Sequence, residues 1–374
     1  MPGRATKRRV LEGSSAAWIV SRCRDRCRAG SVFLHAPSFA LQAPGGGENQ
    51  LVQTGRHLEE LGLSVRLFCP WTDRLEKARL LHLFGMSREG LELARRAKAR
   101  GTPVVLSPIC WFEPGALWTL GPTLARKLRG LSAWAMRRLV PSIPSWRREL
   151  LELSDRILPN SHAEAQQFAR LFGTDRERIV VVPNGVHGGF GLATSDRFRD
   201  RFGNLEFVLF VGRIEPRKNL LQLIRAVRTL GLHLAIAGTA PAEFRNYHKR
   251  CQAEGGDAVL WLGAFDHHDP MLASAYKAAR VFALPSWFET PGLAALEAAL
   301  AGAAVVITPF GSTREYFGDR ALYARPDRPR QIRQAIATSW SRGADPRLAG
   351  FVATHYLWPR VASKTAEVYD QVAR

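Results

Sequence analysis

Two glutamates, Glu289 and Glu297, bracket a Pro-Gly pair and a run of small apolar residues in SWFETPGLAALEAALAG, residues 286 to 302. The preceding RVFALPS reads as a strand entering a loop, and PGLAALEAALAG as a short helix from near Pro291 to Gly302. Proline is tolerated in a first helical turn, where its missing N–H costs nothing. Glu289 is then expected in the loop at the strand's carboxyl end. The helix N-terminus, with free N–H groups and about half a positive charge, points at the same place. That is a ready phosphate site, and Gly292 lets a ligand approach the backbone. Glu297 falls about one and a half turns into the helix, where a carboxylate can accept two hydrogen bonds from a vicinal diol such as a ribose. The competing reading is a solvated pair on an exposed helix. Against it, Glu297 is surrounded by Ala and Leu, and an acid buried in that company requires a partner.

A second cluster lies in FVLFVGRIEPRKNLLQLIRAV. A strand is expected to end at Gly212, with Arg213 and Lys218 flanking the turn before a helix. Arg and Lys on such a turn can grip a diphosphate from two sides, each charge-assisted bond contributing roughly 1.5–3 kcal/mol. Arg217 is the weaker candidate of the turn and reads as surface charge. A third stretch, APGGGENQ at residues 43 to 50, follows the first strand with three glycines. It lacks the Gly-Lys-Ser/Thr of a P-loop and is not GxGxxG.

These residues need a scaffold. At 374 residues the chain is too long for one ordinary core, and two domains are expected. Short runs such as VFLHA, SVRLFC, RLLHLFG, TPVVLS, DRILPN and IVVVPN alternate with amphipathic segments such as NQLVQTGRHLEELG and SREGLELARRAKARG. A second series, EFVLFVG, HLAIAG, AVLWLG, RVFALP and AVVITP, begins after the Gly-rich PNGVHGGFGLATSDRFRDRFGN, which reads as a linker. Alternating strands and helices predict α/β architecture: two Rossmann-like, doubly wound domains with parallel sheets. Ligands in such sheets bind beyond the carboxyl ends of the strands, and two facing domains would place a central cleft there. The expected divisions are residues 31–190 and 191–357, with a final helix over 358–374. Residues 1–30 carry eight Lys/Arg against two acids. They read as a loosely ordered basic extension, or as sequence ahead of the true start.

The net charge of +20 and pI near 10.7 favour polyanions: nucleic acid, an anionic membrane face or phosphorylated ligands. The five cysteines are odd in number and scattered apart from Cys23 and Cys27, so reduced thiols in a cytoplasmic protein are expected rather than disulfides or zinc.

In five places, in order from about Ser31 to the end, the chain resembles a family-4-type glycosyltransferase of the GT-B fold. GRIEPRKN resembles the family's G-R-x-x-x-x-K loop, and ETPGLAALE its E-x7-E motif. PGGGENQLVQTGRHLEELG resembles the amino-terminal glycine loop and first helix. SDRILPNSHAEAQQFARLFGTDRERIVVVPNGV resembles the approach to the hinge, and GSTREYFGDRALYARPDRP the segment after the last central strand. The resemblance implies transfer of a sugar from a nucleoside-diphosphate donor with retention at the anomeric carbon and no metal or other cofactor. It implies that Arg213 and Lys218 bind the diphosphate, that Glu297 holds the ribose and that Glu289 approaches the sugar. Gly292 and Leu293 would offer backbone N–H groups, Gly46 and Gly47 would close over the reaction centre from the other domain, and the last helix would cross back to the first. Two departures stand out. Glu-Thr-Pro-Gly replaces a common Glu-Gly-Phe-Gly, which leaves the donor sugar open. SPICWFEP carries no histidine where many relatives have one, so Glu113 or a main-chain carbonyl would take that role; His35 reads better as a strand residue.

Residues 114 to 148 hold seven Lys/Arg, no acid, and Trp118, Trp134 and Trp146. Two readings are open: a segment docking on the inner face of the cytoplasmic membrane to meet a glycan or lipid-linked acceptor, or a helical cap over the domain core. The leading expectation is a glycosyltransferase of polysaccharide or glycolipid synthesis, with a nucleotide-sugar epimerase of the same fold as the alternative. A nucleic-acid-binding protein is disfavoured, because the basic residues are dispersed and no helix-turn-helix, RRM or zinc motif occurs.

Overall fold

A computed structural model describes residues 18, 30–38, 40, 45–120, 123–267 and 269–373. The expected basic extension over residues 1–30 lies outside them, apart from Trp18 and Gly30. The chain forms two compact units. The first comprises residues 1–112, 131–185 and 358–374, and the second residues 113–130 and 186–357.

In the first unit the elements are β1 (Ser31–His35), α1 (Gly46–Glu60), β2 (Val65–Leu67), β3 (Ala78–Phe84), α2 (Arg88–Lys98), β4 (Val104–Ser107), α3 (Leu124–Leu139, whose residues 124–130 belong to the second unit), α4 (Trp146–Leu153), β5 (Arg156–Ile157) and α5 (His162–Phe172). The all-parallel sheet runs β2-β1-β3-β4-β5, a doubly wound order with its switch point between β1 and β3. Every residue of β1 is buried, as parallel strands covered on both faces require. Val32 and Leu34 pack with Leu51 and Leu58 of α1 and with Trp358 and Tyr369 of the last helix, Trp358–Val372. Phe33 joins the opposite layer with Leu91, Leu150 and Phe168. Ser87 and Ser161 cap α2 and α5 through Oγ, at 2.9 and 3.0 Å from the N–H groups of Gly90 and Glu164.

His82, in β3, fastens the last helix to the sheet. Its Nδ1 lies 2.6 Å from the Tyr369 hydroxyl and its Nε2 lies 2.9 Å from Ser107 Oγ. Full burial pushes its pKa down to about 3. The unfolded chain therefore takes up a proton near pH 6.5 that the folded one refuses. Stability contributed by neutral His82 is intact above that value and is lost as pH falls. The loss should reach about 2 kcal/mol between pH 7 and 5, and about 4 kcal/mol near pH 3. Urea unfolding at pH 7 and 5 should show this slope, and His82→Gln should flatten it.

The second unit contains β6 (Phe207–Val211), α6 (Leu220–Thr229), β7 (His233–Ala237), β8 (Val259–Gly263), α7 (Pro270–Ala278), β9 (Val281–Leu284), α8 (Leu293–Ala301), β10 (Ala304–Ile307), β11 (Leu322–Tyr323) and α9 (Pro329–Arg342). Its parallel sheet runs β11-β10-β9-β6-β7-β8. This is the strand order of a dinucleotide-binding fold, with the switch point between β6 and β9. The two sequence clusters leave the sheet from the carboxyl ends of those two strands.

Three expectations need correction. IVVVPN forms no strand: only Ile179 bridges to Ile157, while the N–H groups of Val180 and Val182 donate to the carbonyls of Ile157 and Pro159. Pro159 and Pro183 lack the N–H groups a longer ladder needs. The Gly-rich stretch around residues 183–204 is not a free linker, because Phe190 and Phe198 insert into the second core. The helix expected from Pro291 starts at Leu293, and Pro291 stands outside it.

Candidate functional site

At the carboxyl end of β6 the chain passes through Gly212 and Arg213 into a 3-10 turn at Pro216–Lys218. Asn219 follows in the left-handed region at φ 58° and opens α6. Its buried side-chain amide donates to the carbonyls of Pro285 and Pro326, at 3.1 and 3.0 Å. The Trp287 N–H also donates to the Arg217 carbonyl at 2.9 Å. These bonds tie the turn after β6 to the loop after β9. Asn219→Ala should strand both carbonyls and strain the backbone, costing about 2–4 kcal/mol in denaturant unfolding. Asn219→Gly should recover only the backbone share.

The loop after β9 carries Glu289, 5% exposed. Its N–H donates to the Phe310 carbonyl at 3.1 Å, and its carbonyl accepts from Ser312 N–H at 3.0 Å. Gly311 makes that contact possible. It sits at φ 96°, and a Cβ there would lie 1.9 Å from the Glu289 oxygen. The side chain of Glu289 meets Lys218, whose Nζ donates to Oε1 at 2.6 Å, and an Arg217 nitrogen lies 3.8 Å away. Burial opposes ionisation of Glu289, but Lys218 and Arg217 outweigh it and hold the carboxyl below its ordinary range. Burial likewise lowers the pKa of Lys218, with Glu289 opposing. Arg217 is braced by Glu215 Oε1 at 2.9 Å and by the Phe288 carbonyl at 3.2 Å. Arg213 stands at the rim, half exposed, 3.8 Å from Glu215. The arrangement leaves two arginines and a lysine around two carboxylates, a net positive nest at the switch point that an anion can enter.

Gly292 precedes α8 at φ 89°, where a side chain would be strained, and a Cβ would lie 3.5 Å from that of Glu289. No described side chain caps α8, so its first N–H groups, starting with Leu293, have no side-chain acceptor. Glu297 lies about 7 Å further along the helix and forms a separate node. The Tyr276 hydroxyl, from α7, donates to Oε2 at 2.7 Å, and His267 Nδ1 lies 3.5 Å from Oε1. Burial first, and then the neighbouring carboxylate, raise the Tyr276 pKa well above its usual value. Tyr276 is thus the partner that a buried Glu297 requires.

The structure joins Lys218 to Glu289 directly, places Arg213 at their edge, and sets Glu297 apart on the same helix that Gly292 and Leu293 begin. Sequence reasoning missed Asn219, Tyr276 and Glu215. An asparagine immediately before an amphipathic run was the available signal for the first. Gly46 and Gly47 belong to the first unit, where they are the opening residues of α1, behind a Gly45 N–H that donates to Glu48 Oε2 at 2.7 Å. Also there, His35 is buried, which lowers its pKa. The histidine-free loop after β4 holds Ile109 at φ 49°, an outlier for a β-branched residue. Glu113 is exposed. Among the described residues no three His, Cys, Asp or Glu side chains converge as metal ligands would.

Residues 194–342 match the family model described as glycosyl transferases group 1, and residues 71–185 match a glycosyl transferase 4-like domain. D-inositol 3-phosphate glycosyltransferase 2 of Catenulispora acidiphila is 30% identical over 257 residues, covering 60% of this chain and 57% of that protein. The match therefore spans little more than half the length of that relative. Sucrose-phosphate synthase from Thermosynechococcus elongatus has a like fold, with a TM-score of 0.73 at 18% identity, covering 91% of this chain and 98% of that one. The Anabaena protein HepE, solved with UDP and glucose, gives 0.69 at 17% identity, covering 90% and 99%. With both family models falling in order on two parallel doubly wound sheets, the chain belongs to the GT-B-fold glycosyltransferases related to families 1 and 4.

Proposed function

We propose that the chain is a retaining glycosyltransferase that moves a sugar from a nucleoside-diphosphate donor to a glycan or lipid-linked acceptor in polysaccharide or glycolipid synthesis. The observation that carries this reading is the Lys218–Glu289 contact, flanked by Arg217 and Arg213, beside the uncapped start of α8. Cations and helix N–H groups together suit a diphosphate leaving group. In this reading Lys218 and Arg213 take the diphosphate, with the N–H groups at Gly292 and Leu293 beside them. Glu297, held by Tyr276, receives the ribose diol. Glu289 addresses the sugar. The anomeric C–O bond to the diphosphate breaks, the acceptor hydroxyl oxygen bonds to the same face, and its proton passes to the departing diphosphate. HepE, whose structure holds UDP and glucose, supports a donor of this class.

The test is thermal melting with UDP-, GDP-, ADP- and dTDP-sugars in the absence of metal. One donor should raise the melting temperature, and Arg213→Ala should abolish the rise. No shift with any donor, alone or with acceptor extracts, would overturn the reading.

A further inference from the structure

Helix α3 wears its apolar side outward. None of its sixteen residues is buried. On a period of 3.6 residues, Leu124, Leu128, Ala135 and Leu139 share one stripe, with Ala125 and Met136 beside it. That stripe faces solvent: Leu124 is 64% exposed, Leu128 and Met136 are 55%, and Leu139 is 82%. The opposite side carries the helix's one tryptophan, Trp134, half-buried against the core layer of Phe33, Leu150 and Phe168. So α3 covers a core with one face and leaves a second apolar face open. Basic residues border that open face on both edges: Arg129 along one, Lys127 and Arg138 along the other. No acid occurs between residues 114 and 148. Just before the helix Trp118 is 45% exposed, with Lys127 Nζ 5.0 Å from its ring centre.

We propose that this face of α3 docks on an anionic lipid surface, lying in the headgroup plane with its leucines in the acyl boundary. The apolar stripe supplies burial and the flanking cations pair with lipid charge, the pattern of an interfacial helix. A protein partner would need to bring matching acids to both edges, whereas an anionic bilayer presents them everywhere. Among the described residues no helix is long and apolar enough to cross a membrane, and α3 has the length and charge of a helix that lies on one. Docking requires no sugar donor, so it stands or fails independently of transfer.

The experiment is co-sedimentation of the full chain with vesicles of phosphatidylcholine alone and with about a third phosphatidylglycerol. Binding should appear only with the anionic lipid and fall steeply with salt. Lys127→Gln/Arg138→Gln should weaken it about 25-fold, at roughly fivefold per charge. Leu124→Ser/Leu128→Ser/Leu139→Ser should weaken it at least tenfold while melting at the wild-type temperature, because these side chains are exposed. Three results would overturn the proposal: no vesicle binding by the wild type, unchanged binding by the leucine variant, or a wild-type dimer that the leucine variant converts to monomer.

Discussion

Lys218→Ala is expected to lower kcat/KM by about 100- to 1000-fold and to destabilise the second unit by about 3–5 kcal/mol. The two effects have separate origins. The side chains of Lys218 and Glu289 are 13% and 6% exposed and meet at 2.6 Å. Removing the lysine leaves a carboxylate in a place water scarcely reaches, with Arg217 at 3.8 Å as its nearest remaining cation. That is the stability loss. The catalytic loss comes from removing the cation that the proposed mechanism aims at the departing diphosphate. The double variant Lys218→Ala/Glu289→Ala separates them. It no longer buries an orphaned charge, so it should regain much of the stability and none of the activity. If Lys218→Ala unfolds more easily yet turns over like the wild type at a permissive temperature, Lys218 is a structural residue only.

Much of this site could be read before any fold was known, because parallel strands covered on both faces advertise themselves. FVLFV, HLAIA and RVFAL are continuous apolar runs ending in Gly or Pro, and the loops that follow are where ligands sit. Which loops become neighbours was not legible. β6 and β9 are far apart in sequence and adjacent in the sheet, and only that pairing brings Lys218 to Glu289. The choice between Arg213 and Arg217 was hidden for a related reason. Glu215, an acid in a basic turn, engages Arg217 together with the Phe288 carbonyl and leaves Arg213 the more exposed of the two. Tyr276 was invisible because a tyrosine in MLASAYKAAR carries the same periodicity whether its hydroxyl meets water or Glu297. The same limit explains IVVVPN: β-branched composition marked a strand, but flanking prolines removed the donors that a ladder needs. In α3 the direction of the apolar side was not legible. Composition left two readings open, a segment docking on a membrane and a helical cap over the core, and only packing showed that the apolar stripe points away from the protein.

The two glutamates should fail in opposite ways. Glu297→Ala is expected to weaken binding of the nucleoside diphosphate by about 10- to 100-fold, the worth of one or two charge-assisted hydrogen bonds. The rate at saturating donor should stay near wild type. Glu289→Ala is expected to lower kcat about 100-fold, and its effect on nucleotide affinity should have the other sign. Without that carboxylate, Lys218 loses the anion it holds at 2.6 Å, and Arg217 loses one at 3.8 Å. Lys218 then turns its full charge on the diphosphate while Arg217 stays paired with Glu215, so the free nucleotide should bind as tightly as before or more tightly. A companion variant guards against a trivial cause for Glu297. Tyr276→Phe keeps the ring in its core position, packed 5.5 Å from Phe190, and removes only the hydroxyl that fixes Oε2. It should weaken nucleotide binding by about three- to tenfold with little change in melting temperature. Isothermal titration with the nucleoside diphosphate and initial rates over a donor series resolve all three variants. If Glu289→Ala and Glu297→Ala lose affinity and turnover in equal measure, the carboxylates do not address opposite ends of one ligand. The ion pair and the Tyr276 bond would then be supports of the loop and the helix alone.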